Sequence, residues 1–179
     1  ANTYLKGSGK LNNIPSILMI SKEIRELTHK YKDKTFLLEE QRKVIYTAPN
    51  TWDNEVLAYS NTFPPEITVL LESTDVNLYR PTMFLCVSPI SSGAFNYYNY
   101  KLEGCVTEGD YLINKIKVIP KKDNPELLSG FIYIVENLWS LSGVDISLNG
   151  NGMTADIKVT CNEVKPSLFL TTSISIENT

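Results

Sequence analysis

The sequence predicts an α+β chain that is mainly antiparallel β. The architecture it favours is a curved sheet or half-barrel wrapping one amphipathic helix; a β-sandwich is the alternative. Three observations carry this. Between Ser88 and Leu148 lie four runs rich in Tyr, Ile, Val, Phe and Trp: Tyr97 to Gly104, Leu112 to Lys122, Ser129 to Val135 and Trp139 to Ile146. Their links, Thr107 to Asp110, Lys121 to Leu128 and Glu136-Asn137, are too short for a parallel crossover of a dozen or more residues, so neighbours pair antiparallel. Third, Ile17, Ile20, Ile24, Leu27 and Tyr31 recur at spacings of three and four, the stripe of a helix that opens at Pro15-Ser16. A bent sheet needs its inner face covered, and this stripe supplies the cover.

The remaining elements follow in order. Thr3 to Lys10 reads as a first strand, with Gly7 and Gly9 marking a bend or close backbone approach. Phe36 to Tyr46 is a strand whose apolar face also carries Glu40 and Arg42, and its charged residues read as a solvated or edge segment. Trp52 to Ser60 is a further strand, ended by Pro64-Pro65; Ile67 to Leu71 suits a helical turn or a strand, and a short helix from Pro65 to Glu72 is the favoured reading. Asp75 to Pro81 is a loop, and Met83 to Val87 a short buried run. Asn149-Gly150-Asn151-Gly152 signals a tight turn. Ala155, Ile157, Val159 and Cys161, then Leu168, Leu170, Ile174 and Ile176, alternate with polar residues as two half-buried strands. The core expected from the central runs is Ile116, Val118, Ile132, Ile134, Val144 and Ile146.

The 179 residues suit one domain, and 42% hydrophobic with 21% charged residues is the composition of a folded chain. A net charge of -3 with mixed signs gives no electrostatic reason to expect nucleic acid as partner. No apolar run approaches the roughly 20 residues of a membrane helix. Cys86, Cys105 and Cys161 have neither metal nor redox spacing; each lies in or beside an apolar run and reads as a buried small hydrophobe.

Catalytic chemistry has little to build on. The single histidine, His29, sits on the charged helix, and no G-x-S-x-G elbow accompanies it; Ser91-Ser92-Gly93 reads as a turn. Glu39 and Glu40 are adjacent in a strand and point to opposite faces. Asp145 alternates out of phase with Val144 and Ile146 and faces water. Lys115, Lys117, Lys121 and Lys122 form a basic patch on one hairpin, a solvated face by default and an anionic-headgroup site as the minor reading. The aromatic clusters Tyr97, Tyr98, Tyr100 and Phe131, Tyr133, Trp139 read as sheet packing. The sequence thus predicts no catalytic residue, cofactor or metal site, and not an enzyme.

Several stretches resemble an uncharacterised outer-membrane family of Bacteroidota. They are SPIS at Ser88, Pro89, Ile90 and Ser91; YKLEG ending at Gly104; LINKIKVIPK with Asn114, Lys115, Pro120 and Lys121; SGFIYIVE with Gly130 and Tyr133; and the W-S-L-S-G-V-D-I run from Trp139. Tyr4 to Gly9, with Gly7, and the later Ile14-Pro15 resemble the opening of the same segment. In that family a carboxypeptidase-regulatory-like domain precedes a periplasmic domain, and a membrane β-barrel follows. The resemblance implies that residues 1–179 are a single periplasmic domain, a fragment of a longer outer-membrane protein. The shared residues are expected to be structural. A weaker, fold-level resemblance joins the Tyr-x-Lys-Gly strand and following helix to periplasmic lipoprotein carriers. The function expected is a non-catalytic scaffold or interaction module that partners its own C-terminal barrel or another envelope protein. The alternative is a carrier or sensor of a lipid or other apolar ligand.

Overall fold

The structure, a computed structural model, describes residues 2–10, 26, 29–31, 33–47, 51–65, 78–83, 86–150 and 153–178. Nine strands form one sheet: β1 (Asn2–Lys10), β2 (Thr35–Thr47), β3 (Thr51–Asn61), β6 (Tyr98–Glu108), β7 (Tyr111–Pro120), β8 (Leu128–Val135), β9 (Ser140–Gly150), β10 (Met153–Lys165) and β11 (Leu168–Asn178). Two short strands, β4 (Thr82–Met83) and β5 (Cys86–Val87), pair with each other. The order β3-β2-β1-β11-β10-β9-β8-β7-β6 leaves β3 and β6 as edges, so the sheet is open rather than a closed barrel. Every pairing in it is antiparallel except β1 with β11. The expected alternative of a two-sheet sandwich does not form: the second sheet among the described residues is only the β4–β5 pair.

The registers explain the alternation. One row runs Ile116, Ile132, Val144, Val159, Ile174, Leu5 across β7 to β1, and the next runs Val118, Gly130, Ile146, Ile157, Ile176, Gly7. Val118, Ile132, Val144 and Ile146 are buried as expected, whereas Ile116 and Ile134 are half-buried. The opposite face carries Lys117, Phe131, Asp145, Lys158, Ser175 and Lys6 in register.

The sheet also curls. In a flat sheet four strand spacings separate β7 from β11, about 19 Å. The Tyr111 and Phe169 rings on those strands nevertheless meet edge-on at 5.3 Å, and the Tyr111 hydroxyl donates to the Glu163 carboxylate.

The apolar face is covered by a segment of which the sequence marks only parts, the buried run that includes Met83 and Cys86 and the turn at Ser91-Ser92-Gly93. Leu78, Met83, Cys86 and Ala94 pack on Val118, Leu128, Val144, Ile146 and Ile157. We call the described residues 78–83 and 86–97 the strap. The helix expected from Pro15 to Tyr31 lies almost wholly outside the described residues; Glu26, His29 and Lys30 are helical and exposed, and Tyr31 packs edge-on against Phe36. The helix expected from Pro65 to Glu72 lies outside them too, apart from Pro65.

Three local expectations are corrected. β2 is an interior strand, not an edge, and Glu40 is only 5% exposed, held by a two-pronged ion pair with Arg42 on its own face. Its cross-strand neighbours are Leu5 and Tyr59, so the guanidinium takes the role that water would otherwise fill. Cys105 is exposed, unlike buried Cys86 and Cys161, because it lies on edge strand β6 just past a register shift between Leu102 and Gly104. Gly7 marks no bend: it continues both ladders, and a Cβ there would make only ordinary contact with Leu38.

Candidate interaction surfaces

Six of the thirteen motif residues, Ser88, Pro89, Ile90, Ser91, Pro120 and Lys121, meet in one place, where the strap is fastened to the sheet. Ser88 is fully buried; its hydroxyl donates to the Leu78 carbonyl, and its amide donates to Pro81 O at 3.0 Å. Ser91 closes the turn through Pro89 and Ile90, its amide and hydroxyl both donating to Ser88 O, the hydroxyl at 2.9 Å. Two tyrosines of β6 then clamp the strap from the sheet side. Tyr98 donates its phenol to Val87 O at 2.6 Å and accepts from the Leu128 amide at 3.1 Å; Tyr100 donates to Pro89 O at 2.7 Å. Burial pushes the Tyr98 phenol up, and pushes Tyr100 up to about 12, helped by its neighbour Tyr98. Pro120 pairs with Tyr98 at the end of β7, and Lys121 fixes the strap's far end, its amide donating to Tyr97 O at 2.8 Å and its Nζ to Phe95 O at 2.6 Å.

The same segment explains the buried thiol of Cys86, which lies 3.8 Å from Pro125 O. Burial and the Glu126 charge push it up to about 11, so it stays a protonated thiol at neutral pH. Cys161 is likewise raised by burial.

The other motif residues fall on the outer face or at turns. Gly130 has φ of 140°, and a Cβ there would overlap the Asp145 carbonyl oxygen, so the β8–β9 approach requires glycine. Tyr133 lies across from Gly143, where a Cβ would stand 3.7 Å from the tyrosine ring. The Lys115 Nζ sits 4.1 Å from the Phe131 ring centroid, a cation–π contact. Gly104 and Asn114 are a ladder apart on β6 and β7. The four lysines therefore do not make one patch. Lys115 and Lys117 lie on the outer face, Lys121 is engaged by the strap, and Lys122 is exposed at the strand end.

Asp145 is exposed beside Lys158, in a shallow polar depression of about 420 Å³ that also involves Asp156, Ser175 and Glu177. A second depression, of about 320 Å³, is lined by Lys121, Asp123, Asn124 and Leu127 at the sheet end. His29 is exposed and distant in sequence from both. Two aromatic residues expected in sheet packing are not there: Tyr97, exposed in the turn before β6, and Trp139. It does not pack on the sheet; it stands 82% exposed at the β8–β9 turn with φ of 54°. The nearest sequence signal for a turn there is Glu136-Asn137.

Residues 1–179 match the family of unknown function DUF5686 along their whole length, and the chain belongs to that family. Neither the curated proteins nor the solved structures give a match.

Proposed function

We propose that this chain is a non-catalytic interaction module of the cell envelope, working through its outer surface and turns. The single observation that carries the reading is the filling of the sheet's apolar face by the strap. Ile146 and Leu128 are at 0% exposure and Val118 at 1%, packed by Leu78, Met83, Cys86 and Ala94. A carrier must leave part of that face open to its cargo, typically about 300–1,000 Å³ lined by apolar groups. Here the described depressions are polar-lined and lie at the sheet end and on the outer face.

The motif resemblance supports a periplasmic setting, with the module tethered to a membrane barrel in a longer outer-membrane protein. The finer architecture that goes with this reading is a half-barrel, and the curl that brings Tyr111 and Phe169 together supports it. The reading is tested by native mass spectrometry of residues 1–179 exported to a periplasm. The bare chain mass is expected. A lipid retained at one per chain, and lost on Ile146→Trp, would replace the module by the carrier.

A further inference from the structure

Trp139 is the most exposed large apolar side chain among the described residues, at 82%, and its backbone is in the left-handed region, with φ of 54°. Asn137 in the same turn is also left-handed, but asparagine tolerates that conformation and a bulky aromatic does not. The fold gains neither burial nor backbone ease from tryptophan here. The turn is nonetheless firmly held. The Trp139 amide donates to Val135 O at 3.0 Å, and the Glu136 amide donates to Leu112 O at 2.8 Å, which ties the turn to the start of β7. A rigid, strained and exposed anchor is a feature whose rationale lies outside the chain.

Its surroundings are acidic. The adjacent turns, Glu108-Gly109-Asp110-Tyr111 and Glu136-Asn137-Leu138-Trp139, carry three carboxylates and no cation. The Glu163 carboxylate lies close by, accepting from the Tyr111 hydroxyl and the Ser167 amide; Lys165 ends β10 beyond it, paired with Leu168. We propose that this end of the sheet docks a partner protein, with Trp139 entering an apolar pocket whose rim is basic. The proposal rests on the interaction-module reading and names its surface. Tryptophans of this kind are the residues that dominate protein interfaces, and a ring of like charge around one steers an oppositely charged partner. The same carboxylates disfavour an anionic bilayer as the occupant.

The test uses the full-length protein in the cells that make it. The photoreactive residue p-benzoylphenylalanine replaces Trp139, or in a control Asp145 on the outer face, and adducts are mapped to the residue by mass spectrometry. Expected is one protein adduct from position 139, at a site flanked by Lys or Arg, with a yield that falls several-fold when Glu108→Lys and Glu136→Lys are added. Lipid adducts, no adduct at 139, or a yield indifferent to the charge reversals would overturn the proposal. Protein adducts from position 145 alone would overturn it while leaving an interaction module; none from either position would count against both. Circular dichroism of each variant, with a melt matching the parent, separates a lost contact from a lost fold.

Discussion

Tyr98 ties the strap to two strands of the sheet. Its ring is buried in the core, and its one hydroxyl serves both the strap, through Val87 O, and β8, through the Leu128 amide. Tyr98→Phe keeps the ring and deletes the hydroxyl, taking that partner from a half-buried carbonyl and a buried amide. The expected cost is about 1–3 kcal/mol, because an orphaned buried polar group loses its hydration without compensation. Urea unfolding measures it; a midpoint unchanged from the parent would mean that the clamp does not hold the strap. Residues were legible in the sequence where one rule decided them. Asp145 faces water because it alternates against Val144 and Ile146. Glu40 and Trp139 were not legible, since each contradicts its own pattern. A carboxylate lies in an apolar row because Arg42 sits two residues on, and a tryptophan occupies a turn position where glycine is the ordinary choice.

At the scale of elements, β7 to β11 are readable because their side chains alternate and each pairs with its sequence neighbour across a short turn. The insertion of β1 between β2 and β11 is not readable. Its parallel partner lies at the other end of the chain, and no local pattern encodes a long-range pairing. The strap escapes for a different reason. Its buried residues, Leu78, Met83, Cys86, Ser88 and Ala94, follow neither a period of two nor of 3.6, since beyond the two-residue β4–β5 pair it is held by scattered backbone and side-chain hydrogen bonds rather than by a long ladder. The two faces of the central strands are expected to respond differently to truncation. Ile146→Ala removes a fully buried side chain beneath the strap and should cost about 2–5 kcal/mol. Lys117→Ala, on the opposite face, should stay within about 0.5 kcal/mol. Thermal melts of the pair decide this, and equal losses would reverse the assignment of faces.

The whole molecule is an open, curled sheet whose apolar face is closed by its own chain. If the strap belongs to the core, it opens only when the sheet does. If the domain instead takes up an apolar ligand beneath the strap, the strap must open while the strands stay paired. Native-state hydrogen exchange distinguishes the two, because it assigns each amide the free energy of the opening that exposes it. The amides to follow are Val87 and Ser88, bonded to Glu126 O and Pro81 O. Their reference is the β8–β9 ladder around Ile132 and Val144. The strap amides are expected to exchange with the same free energy and the same denaturant dependence as the ladder. Strap amides that exchange several kcal/mol more easily, through an opening that leaves β8 and β9 protected, would contradict it.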